Sequence, residues 1–114
     1  MNKDNKASRY SNTGTAHSQK LNVDSIKNSL NPPDFYSHEL PNAPLKKPGW
    51  NDGGLCPFHA DNTPGSFRVN LSTGAFTCFA CGTNGGDIIA FVMALYGLNF
   101  TEALAKLADD WGLI

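Results

Sequence analysis

The sequence predicts an α+β fold: a small antiparallel sheet with short helices before it and two helices after it. Three observations predict it. Two short pairs of metal-ligating residues, Cys56-Pro57-Phe58-His59 and Cys78-Phe79-Ala80-Cys81, stand eighteen residues apart. The segment between them alternates apolar and polar residues like a hairpin. The last thirty residues carry two apolar stripes at helical spacing.

The ligand pairs come first because they constrain most. Three cysteines and one histidine fill the four tetrahedral corners of Zn2+. All three cysteines of the chain lie in this pattern, and an odd count argues against a disulfide framework. Each pair fits a tight knuckle whose turn presents two ligands to one ion. Pro57 stiffens the first knuckle, and Gly82 after Cys81 can take a positive φ at no steric cost. Four protein ligands close the site, so no position is left for activating water, and the zinc reads as structural. A redox pair at Cys78 and Cys81 lacks a βαβ setting, an iron–sulfur cluster ordinarily takes four cysteines, and a Cys–His nucleophile leaves the second pair unexplained. Structural zinc sites contribute about 10–16 kcal/mol of apparent binding free energy, more than the core of a chain this short supplies. Folding of residues 50–82 is therefore expected to depend on the metal. The pattern reads as a β-hairpin held between two zinc knuckles.

In chain order, residues 1–20 hold almost nothing to bury and read as a disordered tail that includes His17. In 21–30, Val23, Ile26 and Leu30 fall on one face of a short helix capped by Asn22 or Asp24. Asn31-Pro32-Pro33 stops it, and a second short helix starts with Pro33 in its first turn and buries Phe35, Tyr36 and Leu40. His38 reads as a surface or capping residue. Residues 41–55 hold three prolines and three glycines and read as a connector presenting Lys46, Lys47 and Trp50, with Asn51-Asp52-Gly53-Gly54 as turn chemistry. In the hairpin, Phe67, Val69 and Leu71 share one face, Arg68 and Asn70 the other, and Ser72-Thr73-Gly74 turns the chain back through Ala75–Phe79. Residues 83–114 read as helical. Asp87 caps a helix with Ile88, Phe91, Val92 and Leu95 on its stripe, and Gly97 stops it. Thr101 is expected to cap a second helix carrying Leu104, Leu107, Ala108 and Trp111. The division is a tail at 1–20, short helices and connector at 21–44, and the zinc domain at 45–114.

Charge is uneven. Residues 1–47 carry seven Lys/Arg against four Asp/Glu, and residues 83–114 one against four. A polyanion would therefore meet the front or middle of the chain. No apolar run marks the first thirty residues as an export signal, and no stretch approaches the roughly 18 apolar residues of a membrane helix. Free thiols in metal spacing then point to the cytoplasm, with no membrane partner.

With Cys56-Pro-Phe-His59, then Asp61-Asn-Thr-Pro-Gly-Ser-Phe67, then Cys78-Phe-Ala-Cys-Gly-Thr-Asn-Gly-Gly-Asp-Ile-Ile-Ala-Phe91, the chain resembles the zinc-binding domain of bacterial and phage DNA primases. Tyr96-Gly-Leu-Asn-Phe-Thr-Glu-Ala-Leu-Ala-Lys-Leu-Ala108 and Leu45-Lys-Lys-Pro-Gly49 extend the likeness over about 45–112. The resemblance implies a zinc ribbon in which Cys56, His59, Cys78 and Cys81 hold one structural Zn2+. It implies a role in recognising single-stranded template DNA, while a separate catalytic domain makes the RNA primer. It also suggests a DNA-facing surface around Arg68 and the hairpin, with Phe76 and Phe79 as stacking aromatics and Lys46, Lys47 and Trp50 beside them. The chain departs from the family where Gly65 enters between Pro64 and Ser66, and where Thr77 replaces a common histidine. The carboxylates are scattered with no D-x-D-like cluster, so catalysis by this chain alone is not expected.

Two functions follow. One is a primase-type zinc module that binds single-stranded DNA and acts with a separate catalytic primase or helicase. The other is a protein-interaction adaptor that keeps the ribbon as scaffold and docks through the acidic, Trp111-bearing C-terminal helix.

Overall fold

The computed structural model describes residues 23–113. The expected tail at 1–20 and the candidate cap Asn22 lie outside the described residues.

Six elements were legible in kind. Helix α1 spans Val23–Ser29 and α2 spans Pro32–Glu39. Asn31 caps α2 by accepting from Asp34 N at 2.9 Å, and both prolines sit in the first turn, where no intrahelical donor is needed. Strands β2 (Phe67–Asn70) and β3 (Phe76–Cys78) form the hairpin, with Val69 opposite Phe76 and Phe67 opposite Cys78. The Asn70 side chain shapes the turn by accepting from the Ser72 and Thr73 amides. Helix α3 (Ile88–Tyr96) is capped by Asp87, which accepts from Ala90 N at 2.8 Å, and stops at Gly97 with φ 67°. Helix α4 covers Phe100–Asp110. No single helix among the described residues is long and apolar enough to cross a membrane.

Two strands depart from expectation. Trp50–Asp52 is β1, paired antiparallel with β2, not turn chemistry. Asn84–Gly85 is β4, paired with β3, not the start of a helical segment. The sheet order is β1-β2-β3-β4. The cap of α4 is Asn99 rather than Thr101: it accepts from Glu102 N at 2.8 Å, while the Glu102 carboxylate accepts from Asn99 N at 2.9 Å. That reciprocal capping box satisfies two otherwise orphaned donors, which Thr101 cannot do.

The core is a cluster of aromatic rings. Phe91 on α3 is its hub, with centroids 5.6 Å from Phe35, 5.2 Å from Tyr36, 5.4 Å from Phe58 and 5.4 Å from Phe76, each near edge-to-face. Ile26 on α1, Phe35 and Tyr36 on α2, and Leu30 and Leu40 just after these helices join the same buried cluster as the sheet and α3. Tyr36 Oη also donates to the Gly74 carbonyl at 2.7 Å, tying α2 to the hairpin turn.

Candidate metal centre and the sheet face beside it

The sheet's pleat sends alternate residues to opposite faces. Phe67, Val69, Phe76 and Cys78 point into the core, and Arg68 points out. Cys78 therefore ends β3 at the edge of the core, where the first knuckle folds over to meet it. Phe58, between Cys56 and His59, inserts its ring against Phe67, Phe76 and Phe91. One aromatic thus pins the knuckle to the hydrophobic cluster. The Phe58 amide donates to Cys56 Sγ at 3.3 Å. In the second knuckle, Gly82 N donates to the Cys78 carbonyl at 2.8 Å, with Gly82 at φ 81°.

The four ligand atoms converge: one from each of Cys56, His59, Cys78 and Cys81, all within 4.8 Å of one another. Cys56 Sγ and Cys81 Sγ lie 3.9 Å apart, and Cys78 Sγ lies 4.0 Å from His59 Nδ1. Zn–S bonds of 2.3 Å set tetrahedral edges of about 3.8 Å, so the donor set fits a zinc ion. His59 turns Nδ1 to the cluster and leaves Nε2 3.8 Å from Asp61 Oδ1.

Asp61 supports the site. Its Oδ2 accepts from the Cys56 amide at 2.8 Å, and Oδ1 accepts from the Thr63 amide at 3.4 Å. At 3.8 Å the carboxylate is beyond hydrogen-bond reach of the far ring nitrogen and acts on it through its charge, which raises the basicity of the ligating imidazole. The hydrogen bond from the Cys56 backbone, above all, holds the Asp61 carboxyl below its ordinary range, so it stays ionised in that role. The Cys56 thiol is pushed up to about 12 by burial. Cys81, exposed and 3.3 Å from the Thr83 hydroxyl, is drawn down to about 6 by hydrogen bonding from Thr83. Zinc takes thiolates, so its binding displaces the thiol protons of the three cysteines into solution.

Beside the metal, the outward face carries the other expected residues. Along β2, Trp50 lies opposite Asn70, Asp52 and Thr77 lie opposite Arg68, and Phe79 N donates to the Ser66 carbonyl at 2.9 Å. Trp50, Arg68, Thr77 and Phe79 line one open groove of about 380 Å3. Phe79 is 76 % exposed and Trp50 46 %. Lys46 and Lys47 are exposed on the loop entering β1. Phe76 is the exception. It is 1 % exposed and packs on Phe58 and Phe91, so it belongs to the core and is not a surface stacking residue. The alternation dictates this, because Cys78 must point inward to reach the metal and Phe76 shares its face.

Sequence reasoning missed Asn51. It is buried, and its amide is fully used: Oδ1 accepts from the Lys46 and Lys47 amides, and Nδ2 donates to the Lys47 and Gly49 carbonyls. It therefore folds the lysine loop against the edge strand. A buried asparagine has no periodic signal of its own. Asp61, by contrast, sits two residues after a ligand, a spacing that allows a supporting carboxylate.

A sequence profile of the CHC2 zinc finger matches residues 18–114. The chain is 40 % identical over 87 residues to a DNA primase of Listeria monocytogenes, covering 76 % of this chain and 13 % of that protein. It is 49 % identical over 65 residues to a DNA primase of Streptomyces coelicolor, covering 57 % of this chain and 10 % of that protein. Among solved structures it is similar to the zinc-binding and RNA polymerase domains of the Aquifex aeolicus primase, with 34 % identity and a TM-score of 0.62, covering 82 % of this chain and 21 % of that one. It thus spans a small fraction of the length of these relatives. The profile match, the convergent Cys-His-Cys-Cys donors and the shared fold agree: the chain belongs to the CHC2 zinc-finger family and holds one structural zinc ion at Cys56, His59, Cys78 and Cys81.

Proposed function

We propose that this chain is a primase-type zinc module that binds single-stranded template DNA on the outward face of its sheet and serves RNA primer synthesis with a separate catalytic primase or helicase. The observation that carries the reading is the groove in which Arg68 lies between the exposed rings of Trp50 and Phe79. Aromatic faces stack unpaired bases without regard to sequence, and a cation beside them draws the backbone. Lys46 and Lys47 extend the positive charge along the chain entering β1. The zinc does no chemistry here. It fixes Cys78, and through it Thr77 on β3 and Phe79 just beyond the strand. Three thiolate ligands favour a reducing compartment, which supports a cytoplasmic setting.

The adaptor reading draws on Trp111, but that ring is half-buried against Phe35 and His38, at 6.3 and 5.2 Å between centroids. No specific observation favours it over the nucleic-acid reading. The test is a titration of zinc-loaded protein with labelled single-stranded DNA at several salt concentrations. Binding should weaken as salt rises, and Arg68→Ala should weaken it further with zinc content unchanged. Unaltered affinity in that variant removes the assigned surface.

A further inference from the structure

Asn51 is a buried amide on an edge strand, 4 % exposed, and one loop fills its side chain. Oδ1 accepts from the Lys46 amide at 2.9 Å and the Lys47 amide at 3.3 Å. Nδ2 donates to the Lys47 carbonyl at 2.7 Å and the Gly49 carbonyl at 2.9 Å. Two N–H donors and two lone pairs are the whole hydrogen-bonding capacity of an asparagine side chain, so none is left over for the sheet or the core. The far end of the loop is tied as well. The Gly49 amide donates to Ser72 Oγ at 3.0 Å, and the Gly49 carbonyl accepts from the Leu71 amide at 2.8 Å. Lys46 and Lys47, both exposed, therefore spring from a backbone fixed to the edge strand and to the hairpin turn. The loop runs directly into Trp50, whose ring lines the groove. The same anchors thus set where the two lysines stand relative to that ring.

Resting on the single-strand reading above, we infer that Asn51 is a positioning residue for the DNA backbone: it holds Lys46 and Lys47 where a strand stacked on Trp50 leaves the sheet over the β1 edge, so that both ammonium groups meet phosphates there. Asn51 itself touches no nucleotide, because the pleat turns its side chain to the face opposite Trp50. Its effect is one of preorganisation. With the loop tethered, the entropy of ordering it is lost during folding, before DNA arrives, and does not weaken binding. Without the tether the chain carries the same charge, but that ordering has to accompany each binding event.

The test uses the zinc-loaded 114-residue chain and a labelled oligothymidylate, with affinity followed by fluorescence anisotropy over a range of salt concentrations. Replacing both lysines, Lys46→Ala with Lys47→Ala, should flatten the slope of log K against log salt by about 1.4, the share of two phosphates on a single strand. Asn51→Ala removes no charge, yet should flatten the slope in the same direction. In that background the two lysine substitutions should change the affinity by less than about twofold, whereas independent sites would show their full effect again. Should Asn51→Ala lose its zinc, Ser72→Ala tests the same coupling, since Ser72 is exposed and holds the other end of the loop. An Asn51 that served only the fold would lower Tm and leave the slope and the lysine effect unchanged. Full additivity in the variant that keeps its zinc overturns the inference, and so does a wild-type slope that the lysine substitutions leave unaltered. Either result leaves stacking on Trp50 and Phe79 standing. No binding to the strand at any salt concentration overturns both readings.

Discussion

The Asp61 carboxylate accepts the Cys56 backbone N–H at 2.8 Å while facing His59 Nε2 at 3.8 Å. One side chain thereby ties together the two ligands of the first knuckle, one through its backbone and one through its ring. Asp61→Ala should lower zinc affinity about 10- to 100-fold, measured by competition with a chromogenic chelator. Asp61→Asn keeps an acceptor for the Cys56 amide but loses the charge facing His59, and should fall between the two.

Removal of the metal should not dissolve the whole chain. The sheet and knuckles depend on zinc, but α2 and α3 meet through Phe35, Tyr36 and Phe91 without it. Chelation under reducing conditions should abolish hydrogen-exchange protection across residues 50–85 first, with protection in α3 and α4 outlasting it. Simultaneous loss everywhere would mean that the aromatic cluster has no stability of its own.

Gly85 lies where β4 crosses the core. A Cβ there would stand 2.6 Å from Phe76 Cε1 and 2.7 Å from Ala90 Cβ. Gly85→Ala should therefore cost about 1–3 kcal/mol through overpacking, read as a lower Tm of the zinc-loaded protein.

Tyr36 gives the alkaline limit. Burial, with the Asp87 carboxylate second, raises its pKa far above the ordinary value near 10. A group whose folded pKa lies above its unfolded one contributes stability that is fully present below the unfolded value and is lost as pH climbs beyond it. Stability should thus fall above about pH 10. In Tyr36→Phe that component of the fall should disappear, at a cost of about 1–3 kcal/mol near neutral pH because the buried Gly74 carbonyl loses its donor. Denaturant unfolding at a series of pH values measures both.

The parts legible in the sequence were those set by local spacing. Two ligands three residues apart make a knuckle wherever they occur, and the Phe67-Arg68-Val69 alternation commits Arg68 to the outer face. The parts that were hidden depend on partners far away in the chain. Asn51-Asp52-Gly53-Gly54 has the composition of a turn, yet β2 recruits Trp50–Asp52 as an edge strand, and Asn51 is buried because loop amides saturate it. Asn84–Gly85 is too short for any period to register, and only its pairing with β3 defines it. The inward place of Phe76 follows from parity alone: a ligand at Cys78 fixes the facing of the strand, which sends Phe76 inward and Phe79 out.

The proposed function rests on unpaired nucleic acid stacking on the zinc-held sheet face. The most direct measurement is the affinity of zinc-loaded Phe79→Ala for single-stranded DNA. Phe79 is largely exposed and outside the core cluster, so its removal should leave fold and zinc content intact. A loss of about 1–3 kcal/mol in binding is expected, roughly 5- to 150-fold in Kd. Wild-type affinity in a variant that keeps its zinc would contradict it.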